Sequence, residues 1–425
     1  MIKCFTFENF KSFEKAELNI EGLTTLVGTN SSGKSNAIEG IKILSETSSG
    51  LDLGVILDGT KNTNSTVRGG SKSCPRFKTT AFKLGCLVDL DDVYDLLYEI
   101  KINVSNNKIY VDEESLYKMP NGQLQPRINK IFKTKKPTNS DGADIKVEYR
   151  NGKRGTNPDV ICIRTSAILP QLAVKLPRET IEDIETADYI SIILNNLKNV
   201  MVLDPVPSEM REYTRISDIE LRSNCDNISS VLNQICKNKE NKQKLLDIVC
   251  NLPENEVIDI EFVETKIGDV MFGLREKYIN STELVDARRL SDGTLRCIAI
   301  VTAILVSEPN SMILIEEIDN GIHPGRVEKL IDSIAEIGKI RNIDIVITTH
   351  NALLLNKYDK EKLLGVSVIY REPEKGTSKF MPCIDMEQFP KILAAGGLGN
   401  AMIDDSLILM LKNSKTNVDY SWLGV

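Results

Sequence analysis

The sequence predicts an α/β fold with mixed sheets around a phosphate loop, and a compact helical insertion between two lobes. Three observations predict it. Gly28-Thr29-Asn30-Ser31-Ser32-Gly33-Lys34-Ser35 fits GxxxxGK[ST] at every fixed position, with an apolar strand pattern before it and a helical pattern after it. Far downstream, residues 312–315 and 343–348 are short apolar runs bounded by turns and helical patterns, which suits parallel strands covered on both faces. Between the two regions the pattern is helical over about 172–199 and 217–251, interrupted by MVLDPVPSEMREY, whose two prolines break it. The expected boundaries are 1–118 for the lobe with the phosphate loop, 119–255 for a basic loop plus the helical insertion, and 256–425 for the second lobe.

The elements follow in order. Ile2 to Phe7 opens a strand, residues 16–20 make a second, and residues 22–27 a third that feeds the Gly-rich loop. Ala37, Ile38, Ile41 and Leu44 recur at helical spacing. Residues 45–73 are rich in Gly, Ser and Asn and read as loop. Residues 79–111 read as strands; 119–142 are polar and basic and read as an exposed loop; 145–149 and 160–164 read as further strands. From 255 the chain returns to α/β alternation, with strands at 258–264 and 270–275 and helices at 294–306 and 324–337. A hairpin over VSVIYREPEKGTSKFMPCI and a helix over 400–412 close the reading. No heptad runs long enough for an extended coiled coil, so the insertion is compact.

Length and composition bound the rest. The 425 residues can bury a large core in one elaborated domain or in two or three. A net charge of −7 excludes a wholly basic nucleic-acid binder but leaves room for local basic patches. Nine scattered cysteines without a CxxC pair favour a reducing compartment over a disulfide framework or a zinc site. The longest apolar run, 297–306, is about half a membrane span. Residues 1–13 alternate apolar and polar side chains without a signal-peptide pattern, so no membrane association and a cytoplasmic location are expected.

Four motifs carry the chemistry. The glycines of the phosphate loop let backbone N–H groups turn inward, and the following helix N-terminus adds positive potential. Lys34 is expected to reach the β- and γ-phosphates and Ser35 to bind Mg²⁺. SMILIEEID is an apolar strand ending in two carboxylates: Glu316 is assigned to the metal and Glu317 to the base that polarises the attacking water. His350 ends the run IDIVITT, at the carboxyl end of a buried strand where ligands bind in open α/β sheets. A neutral imidazole there can contact a γ-phosphate or position water. His323 is either a second site residue or a cap beside Pro324. In Leu290-Ser291-Asp292-Gly293 the plain reading is a helix start capped by Ser291 or Asp292, and the sharper one an anion site at the same exposed N–H groups.

GTNSSGKSN, LSDGTLR, ILIEEIDNGIHP and TTHN together resemble the ABC-ATPase heads (P-loop NTPases) of the SMC and RecF group. They are closer to the branch of overcoming-lysogenization-defect nucleases and the anti-phage ATPases of Septu and PARIS systems. VRGGS at 67–71, LDPVPSEMR at 203–211 and NISSVL at 227–232 extend the resemblance over most of the chain. The resemblance implies an ATP sandwich between two heads of a homodimer or higher homo-oligomer. In it Gly28, Asn30, Ser31, Ser32, Gly33, Lys34, Ser35 and Asn36 hold ATP, with Mg²⁺ on Ser35 and Glu316. Ser291 and Gly293 of the signature loop contact the γ-phosphate of the other head's nucleotide. Glu317 and His350 are catalytic, and Asp319 and Asn320 resemble the loop that communicates across the dimer. Two positions depart from the pattern: Glu316 stands where many cassette ATPases carry Asp, and Asp292 replaces the first Gly of LSGG. The glutamine loop has Gln123, Gln125 and Gln171 as candidates, and slow turnover is expected.

Three roles fit such an ATPase. It regulates a separate effector, a nuclease, in anti-phage defence; the roughly 75 residues after His350 are too few for a TOPRIM nuclease domain. Alternatively it clamps DNA in the manner of RecF, through Arg127, Lys130, Lys133, Lys135 and Lys136 or through Arg68, Lys72, Arg76 and Lys78. The third role is a nucleotide-gated scaffold with negligible turnover, against which Glu317 and His350 argue.

Overall fold

The computed structural model describes residues 1–60, 65–105, 108–121, 129–136, 142–152, 157–250, 256–278, 281–372, 374–386, 389–394 and 397–403. The chain is mixed α/β, as expected, and its contacts divide it into two compact units. One comprises Met1–Ile20, Thr29–Val200 and Ser367–Met381; the other comprises Glu21–Gly28, Met201–Val366 and Pro382–Val425.

The first unit is built on an eight-stranded antiparallel sheet. Its order is Phe13–Asn19, Ile2–Phe10, Ala81–Asp89, Tyr94–Ser105, Lys108–Pro120, Asn129–Thr134, Asp144–Tyr149 and Asp159–Ile163. Period-two alternation sets which face is buried from Lys15 onward: Ala16 and Leu18 point inward, whereas Lys15, Glu17 and Asn19 stay in water. The rings of Phe7 and Phe13 lie 5.1 Å apart, as do those of Phe13 and Phe380, and Phe10 meets Phe82 at 5.3 Å. Helix Lys34–Thr47 buries Ala37, Ile38, Ile41 and Leu44. Its Gly40 is needed for close approach, because a Cβ there would stand 2.7 Å from the Phe7 ring. Helices Ile168–Lys175 and Ile181–Lys198 complete the unit, the second opened by a capping box between Thr180 and Asp183.

Two expectations are corrected here. The stretch 45–73 contains a helix, Leu53–Asp58, whose start is capped by Asp52 accepting from the Gly54 N–H. Residues 119–142 are not a plain exposed loop, because Asn129–Thr134 is a sheet strand with Ile131 and Phe132 buried. Its lysines form ion pairs: Lys130 with Glu148 at 2.7 Å, Lys133 with Glu113 at 2.7 Å and, just beyond, Lys135 with Asp159 at 2.6 Å. The sequence shows the basic run, but the carboxylates that answer it lie on other strands. Arg127 falls outside the described residues.

In the second unit, strands Met312–Ile315, Asp344–Thr349 and Leu23–Val27 run parallel. Every residue of Met312–Ile315 and Leu23–Val27 is buried, including Thr24 and Thr25, as befits a parallel sheet covered on both faces. A second, antiparallel sheet joins Thr214–Arg215, Asp269–Tyr278 and Glu256–Glu264, with Ser281–Asp286 also paired to Asp269–Tyr278. Helix Asp292–Val306 is buried nearly all round, including Leu295, Ile298, Val301 and Thr302. Helices Ile228–Ile235 and Lys239–Val249 are the later half of the expected insertion, and Pro324–Arg341 ends at Asn342 in the left-handed conformation. Among the described residues no helix is long and apolar enough to cross a membrane.

Candidate nucleotide site

Strands Leu23–Val27, Asp344–Thr349 and Met312–Ile315 are in parallel register, so their carboxyl ends share one edge of the sheet. Gly28, His350 and Glu316 are the next residues along the chain from those ends. The carboxyl edge of a parallel sheet is where such folds bind ligands.

From Gly28 the chain enters the loop. Ser31 and Gly33 adopt positive φ, 63° and 123°, which curls the backbone. The Ser32 N–H closes the turn on the Thr29 carbonyl at 3.2 Å. Helix Lys34–Thr47 starts directly after Gly33, so its N-terminal end faces the loop. Lys34 is buried, and its Nζ donates to the Thr29 carbonyl at 3.1 Å, which keeps the charge within the loop. Ser32 is buried and Ser35 half-buried, whereas Asn30 and Ser31 are exposed.

Hydroxyl groups from distant segments hold this loop. The Asn36 Nδ2 donates to Ser12 Oγ at 2.8 Å, and Ser378 Oγ lies 2.8 Å from Ser12 Oγ and donates to the Ser32 carbonyl. A Cβ on Gly33 would lie 2.7 Å from Ser378 Oγ, so position 33 needs glycine for space as well as for φ. Sequence reasoning missed Ser12 and Ser378: a serine in a turn and another in a hairpin give no local sign of a shared partner. Lys11 pairs with Glu39 of the helix, and Glu39 also accepts from the Arg68 N–H at 3.4 Å, tying VRGGS to the loop's helix.

At the acidic strand end, Glu316 is half-buried and Glu317 turns outward. Glu317 has φ 49°, a left-handed backbone that costs energy in a non-glycine residue and clusters at functional sites. Thr348 holds that turn: its Oγ1 accepts from the Glu317 N–H at 2.8 Å and its carbonyl from the Ile318 N–H at 3.1 Å. His350 Nε2 lies 3.4 Å from Glu317 Oε1, with the two side chains 39% and 48% exposed. This exposure leaves room for water against the carboxylate, and a proton on Nε2 would orient it. Among the described residues no group of three or more His, Cys, Asp or Glu could hold a metal by itself.

Ser291 caps helix Asp292–Val306, its Oγ accepting from the Thr294 N–H at 3.2 Å. A Cβ on Gly293 would lie 2.4 Å from the Gly321 carbonyl, so Gly293 permits close contact with the loop after Glu317. His323 caps helix Pro324–Arg341, with Nδ1 accepting from the Gly325 N–H at 3.3 Å. Gln171 bonds through both ends of its amide to Ile163, with further contacts to Ser166 and Ala167. Gln123 and Gln125 lie outside the described residues.

Two family models match the chain. Residues 1–161 match "AAA ATPase domain". Residues 178–356 match "AAA domain, putative AbiEii toxin, Type IV TA system". No curated protein matches it. Among solved structures it is similar to an SMC head bound to the C-winged helix domain of ScpA, at 13% identity and a TM-score of 0.49, over 89% of this chain and 97% of that one. It is also similar to the SMC head domain from Thermotoga maritima, at 13% identity and a TM-score of 0.42, over 90% and 98%. A third is the Smc head with an extended coiled coil bound to the C-terminal domain of ScpA, from Pyrococcus furiosus, at 13% identity and a TM-score of 0.46, over 96% and 99%. With the phosphate loop and the acidic strand end in place, the two domain matches identify the chain as an ATPase of the AAA type.

Proposed function

We propose that this chain binds and hydrolyses ATP as a homodimer or higher homo-oligomer, and through that cycle regulates a separate effector, a nuclease, in anti-phage defence. One observation carries the catalytic part: the Glu317 carboxylate stands beside His350 at the carboxyl edge of the parallel sheet, just beyond the strands that end at Ile315 and Thr349. In this reading Lys34 and the loop N–H groups hold the phosphates, and Ser35 and Glu316 hold Mg²⁺. Glu317 takes the proton from water while His350 orients that carboxylate and senses the γ-phosphate. Ser291 and Gly293 contact the nucleotide of the other head. Bound Mg²⁺ would neutralise charge on the transferring phosphoryl group.

The defence role is supported by the sequence resemblance and by the printed description of the second family, which names a toxin of a type IV toxin–antitoxin system. The DNA-clamp reading is weakened because Lys130, Lys133 and Lys135 already face carboxylates. The test is ATPase activity of the full chain beside Glu317→Gln, followed by capture of the trapped Glu317→Gln protein from its host with ATP and Mg²⁺. Hydrolysis lost in the variant, together with a stoichiometric nuclease, supports the reading. Nuclease-sensitive DNA without a protein partner replaces it with the clamp, and absent hydrolysis in the parent replaces it with a nucleotide-gated scaffold.

A further inference from the structure

Residues 203–211, LDPVPSEMR, belong to the sequence resemblance but have no part in the chemistry above. They are firmly anchored. Leu203 and Met210 are fully buried. The Asp204 and Val206 N–H groups donate to the Ser223 and Asn224 carbonyls, both at 2.9 Å, and Asn224 Nδ2 donates to the Glu209 carboxylate. Pro205 and Pro207 fix φ between these anchors.

The two ends of this stiff segment meet two different loops. Pro205 lines a small cavity with Arg296, Glu316 and Glu317, at the acidic strand end. Arg211 Nη2 donates to the Leu290 carbonyl at 2.8 Å and to Asp292 Oδ1 at 2.6 Å, in the signature loop. Arg211 is 24% exposed and Asp292 is 65% exposed. Asp292 is the residue that departs from LSGG. Its carboxylate sits in the first turn of the helix, beside the N–H groups that a γ-phosphate would use, and an unpaired carboxylate there would repel that phosphate.

We propose that residues 203–211 form a strut that sets the signature loop, with Arg211 as a positioning residue. Arg211 cancels the charge of Asp292 and fixes the Leu290 carbonyl, so that Ser291 and Gly293 can receive the ATP γ-phosphate of a second head. Pro205, and the close pass of Gly293 by Gly321, join that loop to the acidic strand end, so both respond as one piece. The proposal rests on the two-head reading for its consequence but not for the strut itself.

The test uses the full chain with Glu317→Gln as parent. Arg211→Ala, Arg211→Lys, Asp292→Asn and the double variant R211A/D292N are added to it. Hydrogen exchange without nucleotide is measured first. Arg211→Ala is expected to speed exchange of amides 290–294 by about fivefold or more while leaving phosphate-loop peptides unchanged. Unchanged exchange there overturns the strut. Sedimentation with ATP and Mg²⁺ follows: Arg211→Ala should weaken self-association by about tenfold or more, with nucleotide affinity of the single head unaltered. R211A/D292N should recover part of that loss, and Arg211→Lys should fall between parent and alanine. No recovery in the double variant overturns the charge-cancelling role. A parent that never self-associates sinks the two-head reading alone, and the exchange data then decide the strut by themselves.

Discussion

Behind the phosphate loop two buried serines bond to each other and to the loop backbone, whereas at the acidic strand end the polar groups stand in water on a strained backbone. Ser12, Ser32 and Ser378 are each less than a tenth exposed and share hydrogen bonds across segments far apart in the chain. Glu317 and His350 are 48% and 39% exposed, and Glu317 is held in a left-handed turn by Thr348. Phosphate binding needs a preset cradle, because loop ordering during binding would weaken affinity. A base that deprotonates water must first meet water. On the proposed reading the two regions divide the work: one is preset for phosphate, and the other is left open to water.

The sharpest challenge to that division is Glu317→Gln. If the open carboxylate is the base, turnover falls by about 10²- to 10⁴-fold with ATP affinity retained, measured by phosphate release beside a fluorescent-nucleotide titration. Lys34→Ala should do the opposite. It should weaken nucleotide affinity by roughly 10- to 100-fold, because a charge-assisted contact to phosphate is lost from a buried cradle. If Lys34→Ala binds ATP normally, the cradle has been misplaced.

Finer effects separate preorganisation from mere folding. Gly293→Ala places a Cβ against the Gly321 carbonyl at 2.4 Å, so the signature loop must shift. The expected cost is about 1–3 kcal/mol in urea unfolding, with ATP-dependent self-association lost and single-head ATP binding kept. Ser378→Ala leaves the Ser32 carbonyl without its donor, and about tenfold weaker ATP binding is expected, read by the same titration. Thermal stability that falls while affinity stays constant would mean that the hydroxyl chain serves folding rather than the loop.

The smallest effect compares one buried carboxyl in each unit. Burial pushes Glu114 up to about 7, although it accepts from the Ile168 and Leu169 N–H groups and the Tyr98 hydroxyl. Burial also pushes Asp344 up to about 7. Each holds its proton more tightly folded than unfolded, so stability is greatest at acidic pH and falls as pH rises from the ordinary carboxylate range towards about 7. Glu148, Glu261 and Glu372 are depressed by partner cations and contribute in the reverse sense, at lower pH. Melting temperature is thus expected to decline between about pH 5 and 7.5, with Glu114→Gln and Asp344→Asn each flattening the slope. A flat parent profile would contradict the assignment.

How much of this was legible follows from how local each feature is. The phosphate loop, its helix and the acidic strand end are written in consecutive residues, because a tight turn, a helix start and a buried strand each depend on near neighbours. The caps at Ser291 and His323 were readable for the same reason, and both are formed in the structure. The Lys130 to Lys135 run was legible only as charge. Whether a lysine meets a phosphate or a glutamate depends on which strands become neighbours, and sheet pairing brings Glu113, Glu148 and Asp159 to it. Ser378 and Ser12 lie 366 residues apart, and Arg211 lies 81 residues before Asp292. By itself the sequence determined which chemistry the chain carries, since motif chemistry resides in short contiguous stretches. Only tertiary structure decided which hydroxyls brace the loop and which arginine answers Asp292. Those contacts are closed by strand pairing and core packing, and no local pattern of residues encodes them.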